Sequence, residues 1–263
     1  VLTAGSEEQT AIVFAAGVVG PLVRLASGEG STSIVAREAA AGALRNLVAD
    51  SEEQTSAVFV AGAVEPLVRL LDEGTPRGIE AAAVALWNIV SESRDREEAV
   101  FGLGVVTPLV RLLSEGSLEC REAAAGLLGT FSSHSETSRN VIFAAGAVLP
   151  LVQLLDYGTL EGRSTAASAL KSLAAGSPQQ TSEVFEAGVV EPLLRLLDER
   201  EMEAWGEAAG ALRNLAAGSE EEVRAIADAG AIVRLVKVLT RGTLEGREAA
   251  AEALGNLADG SEE

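Results

Sequence analysis

The sequence contains one cysteine, Cys120, and one histidine, His134. A single cysteine cannot form an internal disulfide, and such sparing use of cysteine is typical of an intracellular compartment, cytoplasmic or nuclear. No third ligand accompanies the two residues, which disfavours a metal site or a Cys–His dyad. The P-loop, G-x-S-x-G, H-E-x-x-H and C-x-x-C motifs are also absent. We therefore expect no enzymatic activity, no cofactor and no metal ion.

Aromatic residues are scarce as well, at 3% of 263 residues, although apolar residues together reach 48%. That apolar content argues against disorder. A globular core of this composition would be thin, because large side chains carry most of the apolar area. A stack of helical repeats tolerates small residues better, since each repeat packs only on its neighbours.

Basic residues are outnumbered by acidic ones, 20 to 39, which gives a net charge of −19. This charge disfavours nucleic acid and anionic membrane surfaces as partners, because both attract basic proteins. No apolar run reaches the roughly 18 residues that a membrane span requires. The charge is compatible with basic partners, or simply with solubility.

One segment, G-x-V/I-x-P-L-V-R-L-L, recurs six times, with leading glycines separated by 45, 42, 42, 42 and 42 residues. These glycines are Gly17, Gly62, Gly104, Gly146, Gly188 and Gly230. So constant a period predicts a repeat protein. The first interval carries three extra residues in or near the stretch from Gly28 to Val35. The chain has no initiator methionine and both ends fall within a unit, so we expect a fragment of a longer array.

Each unit has the pattern of three helices. The first ends at the leading glycine, which adopts the left-handed conformation cheaply. Capping-box sequences begin three of the first helices, at Ser6–Gln9, Ser51–Gln54 and Ser219–Glu222. The second helix is the P-L-V-R-L-L segment, with proline at its start. The third carries A-A-A-x-A-L-x-N-L and stops near Asp50, Gly176, Gly218 or Gly260.

This pattern resembles the armadillo repeat, and the resemblance extends from Ser6 to Gly260. HEAT repeats are the nearest competitor, but they have two helices per unit and lack the glycine. The resemblance implies an all-α fold, a right-handed α-solenoid of six three-helix repeats in one domain, residues 1–263. The repeats span about 6–50, 51–92, 93–134, 135–176, 177–218 and 219–260.

Helical periodicity divides the third helix into two faces. We count from a reference place, which is Asn46, Asn88, Thr130, Ser172, Asn214 and Asn256 in the successive units. Leucine stands at place −2, a large apolar residue at +1 and alanine at −5 and −6, and these places form the buried face. The reference place and places −8, −4, −1 and +3 form the opposite face, the third-helix strip. Its residues vary between units, and we expect them to be exposed.

In armadillo proteins the third helices line a concave groove, where the asparagine of A-L-x-N-L holds the main chain of an extended peptide. The resemblance carries this role to four residues, because an amide offers both a donor and an acceptor. They are Asn46, Asn88, Asn214 and Asn256. Thr130 and Ser172 interrupt the ladder. The structural alternative is an asparagine that bonds to its own helix or to the loop of the next unit.

Three residues at place −1 complete the candidate peptide-binding set: Arg45, Trp87 and Arg213. Trp87 is a candidate anchor, and its alternative is packing flat on a neighbouring ridge. Trp205 opens a third helix and is expected to serve packing. A basic column on the second helices, from Arg24 to Lys237, is expected to be a solvated face that pairs with glutamates rather than a docking surface.

The chain departs from importin-α, which has tryptophan at place −4. Here that place holds Gly, Val, Gly, Ser, Gly and Glu, so we expect no close importin-α analogue. The β-catenin groove is rich in basic residues, whereas this third-helix strip holds six acidic and three basic residues. The groove should therefore lean acidic and favour a partner of basic or mixed charge.

The leading functional prediction is a protein–protein interaction scaffold that holds an extended peptide segment. One alternative is a structural spacer or an array that self-associates end to end through exposed apolar surface. Another is the substrate-recruiting arm of a larger protein such as a ubiquitin ligase. A consensus-designed binder is a further alternative, which the unevenness of the repeats disfavours.

Overall fold

The computed structural model describes residues 7–30, 33–49, 51–91 and 93–259. Helices make up 81% of these residues, and none of them lies in a β-strand. The all-α prediction is therefore confirmed. The chain divides into two compact units, residues 1–130 and 131–263.

The helices of the described residues follow one another in sets of three. The first helices are α1 (Glu7–Ala15), α4 (Glu52–Val60), α7 (Arg94–Phe101), α10 (Glu136–Ala144), α13 (Pro178–Glu186) and α16 (Glu220–Asp228). The second helices are α2 (Val19–Ser27), α5 (Val64–Glu73), α8 (Val106–Glu115), α11 (Val148–Tyr157), α14 (Val190–Asp198) and α17 (Ala231–Arg241). The third helices are α3 (Ile34–Leu47), α6 (Pro76–Val90), α9 (Leu118–His134), α12 (Leu160–Ala174), α15 (Glu203–Leu215) and α18 (Leu244–Asp259).

The turn between first and second helices depends on glycine. All six leading glycines have a positive φ, from 75° at Gly104 to 86° at Gly230. Residues with a Cβ adopt this conformation only at a cost, which explains the recurrence of glycine. The second helices begin two residues before the proline, as with Val64 and Pro66, so the prediction of proline at the first position was wrong. Proline is tolerated at the third position because the first four N–H groups of a helix have no intrahelical acceptor.

The predicted capping boxes have three different outcomes. The box at Ser219 and Glu222 is complete. Ser51 Oγ accepts from the Gln54 N–H, but among the described residues the return bond does not form and Gln54 Oε1 is buried without a partner. Ser6 lies outside the described residues. A complete box also forms between Ser177 and Gln180, in a helix that has Pro178 at its first position.

Alanine-rich third helices form the interior of each compact unit. In the first unit α3 packs along α6, and in the second α12 packs on α15 and α15 on α18. Alanines at places −5 and −6, such as Ala40 and Ala41, are fully buried, which allows close approach of the helices. The last third helix differs, because Ala251 is exposed and Leu254 only half-buried.

The ends of the third helices agree with the predicted stops to within about three residues. α3 ends at Leu47 and α12 at Ala174. Asp50 and Gly260, which were predicted stops, lie outside the described residues, as do Ser31 and Thr32 in the longer first interval.

Within the described residues, no single helix is both long and apolar enough to cross a membrane. Two pairs of consecutive helices reach that length and composition only together, across bends of 81° and 84°.

Candidate functional site

Two asparagines of the reference place are tied to the preceding third helix. Asn214 Nδ2 donates to the carbonyl oxygen of Lys171 at 2.8 Å, and Asn256 Nδ2 donates to that of Arg213 at 3.1 Å. Both side chains are half-buried. The structural alternative placed the acceptor in the same helix or the next loop, and the structure instead places it on the preceding third helix. These asparagines therefore link consecutive third helices.

The arginines at place −1 orient the asparagines that follow them. Arg213 Nε donates to Asn214 Oδ1 at 3.1 Å, and Arg45 Nε donates to Asn46 Oδ1 at 3.3 Å. Because a guanidinium only donates, each contact assigns the amide oxygen to the arginine side and the amide nitrogen to the other side. The predicted peptide contacts Arg45 and Arg213 thus have a positioning role within the fold.

Asn88 has a different environment. Within the described residues its amide makes no hydrogen bond, and it lines a polar cavity of about 370 Å³. The cavity is also lined by Ser51, Glu52 and Ser91. A hydrogen bond from Arg96 holds the pKa of Glu52 below its ordinary value, so this carboxylate is ionised at neutral pH. The Asn88 amide therefore faces polar groups with its donors and acceptor unused.

A second cavity, of about 620 Å³, opens beside Asn46. Its lining includes the apolar side chains of Leu22 and Leu25 and the charged side chains of Arg45 and Arg77. Glu38 and Glu80 line it as well, and this mixture of apolar groups with charges of both signs suits an amphipathic side chain next to a peptide main chain.

The two residues that interrupt the ladder turn their hydroxyls inward. Thr130 Oγ1 donates to the carbonyl of Gly126 at 3.0 Å, and Ser172 Oγ donates to that of Ser168 at 3.1 Å. Ser172 is buried and also shares a hydrogen bond with Ser133. Expected exposure of the reference place was therefore wrong at Ser172, because the small side chain bonds to its own helix and is covered.

Glycines at place −4 receive the side chains of the preceding third helix. The indole of Trp87 lies over Gly126, where a Cβ would overlap the ring. The aliphatic part of Lys171 lies over Gly210, with its Cδ 2.7 Å from the position of a Cβ there. Both glycines are buried beneath these side chains, so their expected exposure was wrong. Trp87, half-buried, packs on the neighbouring ridge and still presents part of its ring.

In the first compact unit, residues 1–130, two acidic residues of the third-helix strip bond to other residues of the fold. Glu38 accepts a hydrogen bond from the hydroxyl of Thr75. Glu80 accepts from Ser117 Oγ at 3.1 Å, and its other oxygen lies 4.0 Å from Arg45 Nη1. Thr75 and Ser117 stand immediately before α6 and α9, so these glutamates join one third helix to the beginning of the next.

In the second compact unit, residues 131–263, each basic residue of the third-helix strip has an acidic partner on the following third helix. Lys171 Nζ lies 2.6 Å from Glu207 Oε2, and Arg213 Nη1 lies 3.1 Å from Glu252 Oε2. These pairs are partly exposed, so each stabilises by at most about 1 kcal/mol. These pairs engage two basic residues of the strip, Lys171 and Arg213, and one acidic residue of it, Glu252.

The second helices carry the expected pairs between basic and acidic residues. Arg111 Nη2 lies 2.9 Å from Asp72 Oδ1 and donates to the Leu71 carbonyl as well. Trp205 is 4% exposed, and Lys237 Nζ lies 4.3 Å from the centre of its ring. Both observations agree with the packing roles expected for the basic column and for Trp205.

Cys120 and His134 were considered as a possible nucleophile and base, and their surroundings do not favour those roles. Cys120 is buried, and desolvation raises the pKa of its thiol, so it is protonated at neutral pH. His134 is exposed at the end of α9. In the described ranges no three metal-ligating side chains come together.

The helices form sets of three, with a glycine of positive φ between the first and the second helix of each set. Within each compact unit the sets contact one another through their third helices, as in a helical-repeat scaffold. The armadillo/β-catenin-like repeat model matches residues 6–49, 51–91, 93–133 and 177–217. The chain belongs to this family and has the armadillo-repeat solenoid fold, which is a protein-binding scaffold and typically non-enzymatic.

The solved structures similar to this chain include several engineered proteins. The designed armadillo repeat protein YIII(Dq)4CqI is 30% identical, with a TM-score of 0.77 over 91% of this chain and 99% of that one. The designed armadillo repeat protein YIII(Dq.V1)4CPAF, in complex with the peptide (KR)4, is 30% identical, with a TM-score of 0.73 over 91% and 99%. Another engineered protein is 34% identical, with a TM-score of 0.76 over 92% and 97%. None of the curated proteins compared with the chain matches it.

Proposed function

We propose that the chain binds an extended protein segment in a groove lined by its third helices. The side-chain amides of Asn46, Asn88, Asn214 and Asn256 hold the main chain of that segment. Arg45 and Arg213 position two of these amides, and Trp87 provides an apolar surface for a side chain of the partner.

The observation that carries this proposal is that the asparagine side-chain amides use only part of their hydrogen-bonding capacity within the fold. Asn214 and Asn256 each give one N–H to the preceding third helix. A side-chain amide has two N–H donors and two lone pairs, so a donor and an acceptor on each stay available within the described residues. The scaffold thus fixes the orientation of these two amides and leaves part of their hydrogen-bonding capacity unused, which lowers the entropic cost of binding a peptide main chain.

A basic or mixed partner fits both the charge and the comparisons. The net charge of −19 attracts basic segments over long range. One of the similar designed proteins is a complex with the peptide (KR)4. We further propose that all six sequence units are armadillo repeats of one right-handed superhelix, because the two units outside the family matches have the same three-helix order.

A peptide-display selection on the purified chain tests the proposal. We expect enrichment of a basic or mixed motif, which the variant with alanine at Asn46, Asn88, Asn214 and Asn256 no longer captures. Replacing Thr130 and Ser172 by alanine provides the matched control, since these hydroxyls bond to their own helices. Enrichment that survives the fourfold change, with both proteins equally helical by circular dichroism, contradicts groove binding.

Self-association is the second candidate, because one helix face exposes apolar side chains. On α17, Val236 is 45% and Leu239 38% exposed, whereas the equivalent Leu194 and Leu197 on α14 are fully buried. A second copy stacked end to end would cover this face. Sedimentation analysis should then show concentration-dependent association that Val236→Lys abolishes. A monomer at all concentrations rules this candidate out.

A further inference from the structure

A cavity of about 420 Å³ lies between α10, α11 and α13, and no third-helix residue lines it. Its apolar lining comes from Phe143, Val148 and Leu149. Glu183 and Glu186, on α13, supply two carboxylates. The volume falls within the range of ligand pockets, roughly 300–1,000 Å³. The cavity is therefore separate from the third-helix strip in both position and lining.

The repeats themselves provide a comparison for this cavity. Leu149 is three places after its leading glycine, and the internal units have Glu65, Thr107 or Glu191 there. The fold thus accepts polar residues at this place, and Leu149 is not required by it. Leu149 is 57% exposed, and together with Val148 and Phe143 it gives this cavity its apolar lining.

The two carboxylates also depart from the repeat pattern, because they stand where most other repeats have an apolar or small residue. The place of Glu183 holds an apolar residue in every other unit, namely Ile12, Ala57, Ala99, Val141 and Ala225. The place of Glu186 holds an uncharged small or apolar residue in four of the others: Ala15, Val60, Gly102 and Ala144. Three residues that differ from the usual residues at their places in the repeat, Leu149, Glu183 and Glu186, therefore line one cavity.

The two carboxylates have no cationic partner among the described residues. Glu183 accepts a hydrogen bond from the neutral amide of Gln179 at 3.0 Å, and both glutamates are exposed. Most basic side chains in this unit are engaged elsewhere, as Arg195 is with Asp156. The negative charge at the edge of the cavity is thus left to attract a cation from outside the molecule.

We propose that this cavity is a second docking site, for a protein segment in which an aliphatic side chain is flanked by lysine or arginine. The aliphatic group packs against Leu149 and Phe143, and the flanking cations pair with Glu183 and Glu186. This site goes beyond the proposed groove function and shares no residue with it. The chain then holds two different segments at once, one on its third helices and one between a first and a second helix.

Methyl NMR spectra of leucine- and valine-labelled protein test the site. The probe is the peptide acetyl-Gly-Arg-Leu-Arg-Gly-amide, added to millimolar concentration. We expect its titration to shift the methyl signals of Leu149 and Val148. Two further peptides separate the contributions: one carries glutamate in place of both arginines, and the other carries glycine in place of leucine. Neither should produce these shifts.

Three variants complete the experiment. Glu183→Gln with Glu186→Gln should weaken binding of the probe about fivefold, as expected for the loss of two exposed ion pairs. Glu53→Gln with Glu220→Gln removes the same charge from two other first helices and should leave the affinity unchanged. Leu149→Glu copies Glu65 and Glu191, so the fold should accept it, and it should abolish the shift at Val148, whose methyl groups the variant keeps.

Several outcomes overturn the proposal. They are the absence of shifts at Leu149 and Val148, equal shifts with either control peptide, and an unchanged affinity in the Glu183 and Glu186 variant. Shifts confined to third-helix methyls would assign the probe to the groove instead. The fourfold asparagine variant should bind the probe as the unmodified chain does, so failure of this site and failure of the groove proposal are distinguishable.

Discussion

At the scale of single residues, the proposed function gives the reference-place amides two roles, one in the fold and one in binding. Asn214 links two third helices through one N–H, and its second N–H has no partner among the described residues. Asn88 makes no such link within the described residues, although it occupies the same place. The ladder is therefore uneven, with some amides held by the fold and one dependent on solvent or a ligand.

This unevenness predicts different costs for the same substitution. Asn214→Ala removes the hydrogen bond to the Lys171 carbonyl and should lower the free energy of unfolding by about 1 kcal/mol. Asn88→Ala is the matched control and should change it by less than about 0.5 kcal/mol. Urea unfolding monitored by circular dichroism measures both. Equal losses in the two variants would contradict the difference between their amides.

Glu222 connects consecutive first helices through its ionised form. Burial raises the pKa of Glu222, but hydrogen bonds from Ser182 and from the Ser219 hydroxyl and N–H outweigh this and lower it below 4.5. A lowered pKa means that the contribution to stability is complete above the ordinary value. It is lost as the pH falls through the lower folded value.

We therefore predict a pH-dependent effect of Glu222→Gln. At neutral pH the variant should be less stable by about 1 kcal/mol, because it loses a charge-assisted acceptor. The difference from the unmodified chain should shrink as the pH falls below 4.5. Thermal unfolding between neutral and acidic pH provides the measurement, with Glu221→Gln as the control for charge. A difference that is constant with pH would show that ionisation of Glu222 does not matter.

At the scale of helices, the glycines at place −4 determine whether a side chain of the preceding third helix can lie over them. Gly126 is covered by the indole of Trp87, whereas a Cβ at Gly42, the same place in α3, would meet nothing within 4 Å. The two glycines thus have different reasons to be present. Gly126 makes room for the ring, and Gly42 leaves the strip open.

This contrast predicts opposite effects of one change. Gly42→Ala should stabilise the chain by about 0.5–1 kcal/mol, because alanine loses less backbone entropy in a helix. Gly126→Ala should destabilise it by about 1 kcal/mol or more, since the methyl group displaces the indole. It should also shift the indole N–H signal of Trp87 in NMR spectra, where Trp87→Phe supplies the assignment. Stabilisation by Gly126→Ala would contradict the packing of Trp87.

Helix ends were predictable because local chemistry determines them. Positive φ at the leading glycines, proline in the first turn and serine caps depend on residues close in sequence. The half-formed cap at Ser51 was not predictable, because the orientation of Gln54 depends on what packs around it. The burial of Gly126 also depends on a side chain 39 residues earlier, which helical periodicity alone does not reveal.

At the scale of the molecule, the repeat period made the fold predictable from sequence. A unit that recurs every 42 residues must pack on copies of itself, and the family matches agree. The partners of strip residues were less predictable, because they lie on the next helix. Strip charges counted as available to a ligand, such as Lys171 and Glu252, pair within the fold. The cavity between α10, α11 and α13 brings together residues of three helices, which the sequence alone does not reveal.

The central claim is that side-chain amides of the third helices hold a peptide main chain. The most direct measurement compares a selected peptide with its ester analogues, in which one main-chain N–H at a time is replaced by oxygen. We predict that esters at some positions bind the unmodified chain about five- to tenfold more weakly, as expected for one lost hydrogen bond. To the variant with alanine at Asn46, Asn88, Asn214 and Asn256, which does not retain the peptide in a selection, the esters and the parent peptide should show equally weak residual binding. An ester penalty that persists in this variant, or no penalty at any position in the unmodified chain, would contradict the claim.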